Sequence, residues 1–340
     1  MARGVAVLLS DALRVLEVAD LEATVDAIAR GQESDGGIPW HPGGKMDPWN
    51  HVEAAMALCL GGRWDEVNRA YDWMLRNQRH DGAWHAYYQA GKVKDPTLDT
   101  NVSTYIATGA WHHYLVTGER GFLKWLWPSI DAAVDFALTL RRKSGVIAWS
   151  RPPGGSGARK GLVAGGSSLH LSLRCAVRVA DALGYNRLEW TEAADTHGHA
   201  ILHQPEAFVD KHRWAMDWYY PILTGVLRGP AAQARLEEKW DEFVVPDKGV
   251  RCISGRAWVT AAETAELVMA LNAIGDHAEA RQLLEWAQHL RGDDAAYWMG
   301  ANFTDGAYWP LQRPAWSSAA IVMAADALAG GPTAELFAGR

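Results

Sequence analysis

Apolar residues recur at intervals of three and four, the helical period, in twelve separate stretches of the chain. The pattern predicts helices over 18–31, 49–60, 64–78, 100–117, 120–142, 167–184, 187–203, 217–228, 230–243, 259–274, 276–291 and 314–329. No stretch between them alternates as a half-buried strand does. Short turns join some helices in pairs: Gly61-Gly62, Thr117-Gly118-Glu119 and Gly229-Pro230. Longer loops join one pair to the next, so the chain reads as repeated helical hairpins.

The long loops resemble one another. Gln32-Glu33-Ser34-Asp35-Gly36-Gly37 and Gln78-Arg79-His80-Asp81-Gly82-Ala83-Trp84 each follow a helix and turn at a glycine. Weaker copies centre on Gly145, Gly249 and Gly306, with a degenerate one at His212-Arg213-Trp214. A repeat of about 50 residues with two helices per unit implies an all-α array. Six hairpins closing on themselves make an (α/α)6 barrel, which accounts for residues 1–340 as a single domain. Its inner helices start near Pro48, Thr100, Ser167, Asp217, Val259 and Pro314, and its long loops gather around a funnel at those starts.

Composition narrows the class. With 49 % hydrophobic and 21 % charged residues, the 340-residue chain is neither disordered nor fibrous. Lys+Arg 33 against Asp+Glu 40 gives a net charge of −7 and leaves no basic stripe for nucleic acid. No apolar run approaches the roughly 20 residues of a spanning helix, so a membrane partner is not expected. Cys59, Cys175 and Cys252 are scattered and form neither a disulfide framework nor a CxxC metal pair, and read as buried thiols. The apolar run Val5–Leu9 is too short for a signal peptide. These features lead us to expect a cytoplasmic protein with no metal and no cofactor. His199 and His203 are spaced like zinc ligands but lack a third. The unusual number is Trp 18 against Phe 6.

The Gln-x-x-Asp-Gly repeats resemble those of the squalene-cyclase and prenyltransferase toroids, and also those of (α/α)6-barrel glycoside hydrolases. The acid motif Asp-x-Asp-Asp of the terpene cyclases is absent, as is the zinc-binding Asp-x-Cys pair of the prenyltransferases. Three helix-opening runs, 46–56, 99–105 and 258–266, resemble the mycobacterial methylmannose polysaccharide hydrolases. That resemblance implies an inverting endo-α-mannosidase acting on a methylated mannose polysaccharide, with Asp47 and Glu263 as its catalytic pair. Other readings stay open on the same fold: a polysaccharide lyase using Tyr105, Tyr219 or His51, a terpenoid cyclase, or a non-catalytic carbohydrate-binding protein.

The residues at the expected inner-helix starts are polar, which suits a sugar better than a terpene. Glycoside hydrolysis needs two carboxyls, one acid and one base or nucleophile. Asp47, in a loop before a helix, is expected to stay ionised under nearby N–H groups and suits the base. Glu263, among Trp258, Val259, Ala261 and Ala262, is expected to stay protonated and suits the acid. Asp47 and Asp99 could equally be helix caps, and Glu263 a solvated first-turn acid. Expected substrate contacts are Trp40, Trp49, Asn50, His51, Glu53, Trp84, Asp99, Asn101, Tyr105, Tyr219, Tyr220, Trp258, Glu266, Trp309 and Trp316. Asp35, Asp81 and Asp305 read as turn residues before glycine. Trp73, Trp125, Trp127, Trp240 and Trp286 lie within helices and are expected in the core. The Gly- and Pro-rich segment 151–161 is a candidate lid.

Overall fold

The computed structural model describes residues 15–152 and 154–338. The Val5–Leu9 run and Pro153 of the candidate lid lie outside them. All twelve expected helices are present, with ends that shift by a few residues: α1 (Val18–Arg30), α2 (Pro48–Leu60), α3 (Trp64–Asn77), α4 (Thr100–Thr117), α5 (Arg120–Leu138), α6 (Val163–Leu183), α7 (Leu188–His203), α8 (Ala215–Leu223), α9 (Pro230–Phe243), α10 (Ala261–Ile274), α11 (His277–Trp286) and α12 (Ala315–Leu328). A short thirteenth, α13 (Pro332–Ala338), was not expected.

Helix α2 packs on α4, α4 on α6, α6 on α8, α8 on α10, α10 on α12, and α12 back on α2. That closed inner ring is the (α/α)6 barrel. Odd-numbered helices α1 to α11 lie outside it, each against its neighbours in the ring. Composition explains the division. Outer helix α3 buries one stripe, Val67, Ala70, Tyr71, Trp73 and Met74, and leaves its other face to solvent. Inner helices are buried on nearly every side; α12 does this with Ala319, Ala320, Ala324, Ala325 and Ala327, small residues that let neighbouring helices approach. Helix α13 touches α4, α10 and α12 and so crosses the floor of the barrel. Asp326 holds it there by accepting the Thr333 N–H at 2.8 Å.

The repeated loop motif is a staple between hairpins. Gln32 Nε2 donates to its own loop at Gly36 O (3.0 Å) and to Glu66 O on α3 (2.9 Å). Gln78 repeats the arrangement on Gly82 O and on Ser129 O of α5, both at 2.9 Å. Asp35 and Asp305 accept the N–H two residues on at 2.9 Å, as turn residues do. The glycine is required twice over. Gly82 has φ +85°, and a Cβ there would lie 2.0 Å from Ala132 O. The next loop N–H bonds the fourth residue of the following inner helix: Ile38 to His51, Trp84 to Ser103, Val250 to Thr264, Tyr297 to Ser318.

The absence of strands was not correct. The loops before α4 and α6 join in an antiparallel sheet of β1 (His85–Gln89), β2 (Lys92–Asp99) and β3 (Ser150–Arg151). A second sheet contains β4 (Val244–Val245), β5 (Gly249–Arg251), β6 (Trp258–Thr260) and β7 (Gly300–Asn302). Trp258–Thr260, expected to open a helix, is therefore a strand. Both sheets tie adjacent long loops together at the mouth. Pairing of Asp99 with Ser150 fixes the loop before α4 to the loop preceding α6. Pairing of Thr260 with Gly300 does the same for α10 and α12.

Candidate active site

Six parallel inner helices bring six N-termini, and their positive dipole ends, to one mouth. Carboxyls collect there. Asp47 is the N-cap of α2: Oδ1 accepts the Asn50 N–H at 2.9 Å. Its Oδ2 accepts from Trp40 Nε1 at 2.7 Å and from Asn50 Nδ2 at 2.9 Å. Lys45 lies near enough to Asp47 to act on it and stacks over the Trp40 and Tyr87 rings at 4.0 and 4.3 Å. The pKa of Asp47 is raised, because burial outweighs all of these donors and Lys45. The expectation that the N–H groups alone would hold it ionised therefore needs correcting: they moderate the burial but do not overcome it. Asp47 is thus a buried helix cap, as the alternative reading allowed.

Asp99 is the N-cap of α4 and accepts the Val102 N–H at 3.0 Å. Burial pushes it up to about 6, with Asp47 close enough to add to the shift. Asn101, two residues further, keeps its Oδ1 buried without a protein partner. Asp217, in the first turn of α8, accepts the Ala164 N–H at 3.2 Å and so caps α6, whose own N-cap is Leu162.

Glu263 stands in the first turn of α10, 7 % exposed, and its Oε2 has no partner in the protein. Helix α12 lies between α10 and α2, so Glu263 and Asp47 stand at helix starts on either side of it. Three more buried polar atoms without protein partners cluster on those two helix starts: Thr260 Oγ1, Trp316 Nε1 and Ser317 Oγ. Buried polar groups are almost always bonded to something. This set is suited to sugar hydroxyls and to water.

Deeper down, Glu53 Oε1 accepts from Trp49 Nε1 at 2.8 Å and from Tyr105 OH at 3.1 Å. Glu266 accepts from the hydroxyls of Tyr219 and Tyr220, one on each oxygen. Burial pushes Glu53 up to about 8, with Asp47 adding to the shift, and Glu266 well above the usual range, with Glu53 and Glu263 adding to it. The cavity beside them, floored by Phe337 of α13, holds about 10 Å3. A sugar ring does not fit in that space; the Glu53–Tyr105 bond ties α2 to α4, and the Glu266 bonds tie α10 to α8.

The expected contacts therefore divide. Trp40, Trp49, Trp258 and Trp316 are half-buried at the mouth, and Trp309 is exposed at its rim with Trp258 Nε1 bonded to its carbonyl. Asn50, Asp99 and Asn101 join them. His51 and Trp84 do not. His51 is fully buried, with Nδ1 accepting from Ile38 and Nε2 donating to Ala70 O, and burial lowers it to about 4. Trp84 is fully buried, donating to Met74 O. Both pack between hairpins. Of the helix tryptophans, Trp73 is core, Trp127, Trp240 and Trp286 are half-buried, and Trp125 is exposed, correcting the expectation for it. Lys45 and Tyr87 were missed; Tyr87 sits on a strand that the sequence pattern did not reveal. The lid segment is tied at its ends, Ala158 N–H to Ser150 O (2.7 Å) and Gly161 N–H to Ala207 O (3.0 Å). All three cysteines are free and buried. Among the described residues no group of three His, Cys, Asp or Glu side chains could hold a metal ion, and no single helix is long and apolar enough to cross a membrane.

Comparison with solved structures agrees with this architecture. A glycosidase in complex with glucose superposes with TM-score 0.71 at 15 % identity, over 93 % of this chain and 99 % of that one. A GH63 mannosylglycerate hydrolase from Thermus thermophilus, also with glucose, gives TM-score 0.64 at 13 % identity, over 89 % and 99 %. A D-mannose isomerase gives 0.67 at 10 %, over 90 % and 96 %, so the barrel alone does not select a reaction. No protein-family model matches the chain. A polar, carboxyl-rich funnel on this barrel, with the sequence relative described next, makes the protein a glycoside hydrolase. The chain is 46 % identical over 314 residues, 92 % of its length and 87 % of the relative's, to the MMP endo-(1,4)-3-O-methyl-alpha-D-mannosidase of Mycolicibacterium hassiacum. It belongs to that enzyme's family.

Proposed function

We propose that the protein is an inverting endo-α-mannosidase that cleaves a 3-O-methylated mannose polysaccharide, with Asp47 as base and Glu263 as acid. The relative's activity motivates the substrate. The observation that carries the residue assignment is the contrast between the buried carboxyls. Both oxygens of Glu266 are occupied by tyrosine hydroxyls, whereas the buried Glu263 Oε2 has no protein partner. A general acid must first be able to reach the leaving oxygen. Glu263 protonates the glycosidic oxygen as the bond breaks. Asp47, oriented by Trp40 and Asn50, takes a proton from the water that attacks the opposite face of the ring. The helix N-termini around the mouth favour the ionised state of the base.

Asp47→Asn and Glu263→Gln are each expected to lower kcat on the methylated polysaccharide by at least about a thousandfold, a usual loss for a general acid or base. Asn caps a helix as well as Asp does, so the first variant keeps its fold. NMR of fresh digests is expected to show the β-anomer first. Wild-type rates in both variants, or an α-anomer as first product, would overturn the proposal.

A further inference from the structure

A second cavity of about 190 Å3 opens beside the carboxyls, between the first turns of α4 and α6 and the start of α8. It is smaller than the roughly 300–1,000 Å3 that encloses a drug-sized ligand. A substituent or a single ring fits it. Its wall is Leu162, Ala164, Leu169 and Met216, with the rings of Trp149 and Trp214. Asp99 and Asp217 border it, but Asp217 Oδ1 is already engaged by Ala164 and Asp99 Oδ1 by Val102. Asn101 is the exception: it lines the same cavity, is 4 % exposed, and its Oδ1 is unpartnered. The site thus pairs an apolar wall with a polar border of Asp99, Asp217 and Lys211, and with the unpartnered Oδ1 of Asn101.

We propose that this cleft is the specificity subsite that reads the O-methyl group of the substrate, with the methoxy carbon against the Leu162, Ala164, Leu169 and Met216 wall and a neighbouring ring hydroxyl donating to Asn101 Oδ1. The inference rests on the function proposed above. A methoxy group has no donor and loses nothing by facing an apolar wall. A free hydroxyl in the same place is stripped of water and left with an unpaired proton. The discrimination therefore comes from what an unmethylated sugar forfeits as well as from the methyl contact. One methyl in an apolar pocket is worth roughly 10–200-fold.

Gly165 supplies the test. It lines the cleft, and a Cβ added to it would sit in ordinary contact, 3.6 Å from Leu162 Cβ and 3.8 Å from Asn101 Cβ. Gly165→Ala suits a helix and fits the fold, yet it takes a methyl's worth of space from the cleft. Met216→Gln keeps the side-chain length and offers a stranded hydroxyl a partner. The measurement is kcat/KM on a synthetic 3-O-methylated α-1,4-mannotetraose and on its unmethylated counterpart, with Tm recorded for each variant. The wild type is expected to prefer the methylated chain at least about tenfold. Both variants are expected to reduce that ratio severalfold, Gly165→Ala through the methylated substrate and Met216→Gln through the unmethylated one. If the wild type prefers the methylated chain but the ratio survives in both folded variants, or if it cleaves both chains equally, the subsite assignment falls while the proposed function stands. If it cleaves neither chain, the proposed function falls and takes the subsite with it.

Discussion

Glu53 is a carboxyl that the fold keeps protonated at neutral pH. Burial raises it to about 8, against a reference near 4.5, although Trp49 and Tyr105 both donate to it. The native state thus binds a proton that the unfolded state has released throughout that window. Stability must fall as pH rises from about 4.5 to 8, by up to about 1.4 kcal/mol per pH unit. Glu53→Gln preserves the acceptor and removes the titration. It is expected to match the wild type near pH 5 and to exceed it by roughly 2 kcal/mol in urea melts at pH 8.5; equal stability at both pH values would contradict the assignment. The same residues show how far the site was legible. Asp47 and Glu263 could be proposed because each stands at the start of an inner helix. His51 misled for the same reason, since it opens one too. It occupies the fourth helical position, where Ser103, Thr264 and Ser318 anchor their loops. Four residues of three types perform one task there, so no residue-type pattern separates an anchor from a ligand contact.

At the scale of elements, the helices were readable because each outer one carries a stripe and each inner one an unbroken apolar run, both many residues long. The strands were not. β3 and β4 have two residues each, and β1 pairs with β2 through register shifts at Tyr87, with Pro96 inside β2. An alternation that short and irregular has no detectable period. Helix α13, seven residues, fails for the same reason. What the elements do share is the glycine staple, and it can be dissected. Gly118 and Gly82 both have positive φ, +72° and +85°, but only Gly82 meets backbone when a Cβ is added. Gly118→Ala is expected to lose about 1 kcal/mol from φ alone. Gly82→Ala adds a clash with Ala132 O and is expected to lose at least about 2 kcal/mol more. Equal denaturation midpoints for the two variants would show that the loop does not press on α5.

Across the whole molecule, buried histidines and buried acids pull stability in opposite directions as pH changes. Burial lowers His51, His113 and His170 to about 4 and His112 and His197 to about 3, from 6.5. His51 shows why protonation is resisted: its Nδ1 accepts the Ile38 N–H, and a proton there would set two donors against each other. Below pH 6.5 the unfolded chain takes up protons on these five rings that the native state refuses, so they withdraw stability as pH falls. Glu53 and Asp99, raised to about 8 and 6, act the other way, because the native state gains their protons before the unfolded one does. Between 6.5 and about 4.5 the five rings outnumber the two acids, so the acids offset only part of the histidine deficit. Below about 4.5 the unfolded carboxyls are protonated as well, the acids stop contributing, and the histidine deficit stands alone down to about 3. Urea midpoints are therefore expected to decline steadily from pH 6.5 to about 4. In Glu53→Gln one of the offsetting acids is missing, so its midpoint should fall more steeply than the wild type's across the upper interval. Equal slopes for the wild type and Glu53→Gln between pH 6.5 and 4.5 would mean that Glu53 is not holding its proton.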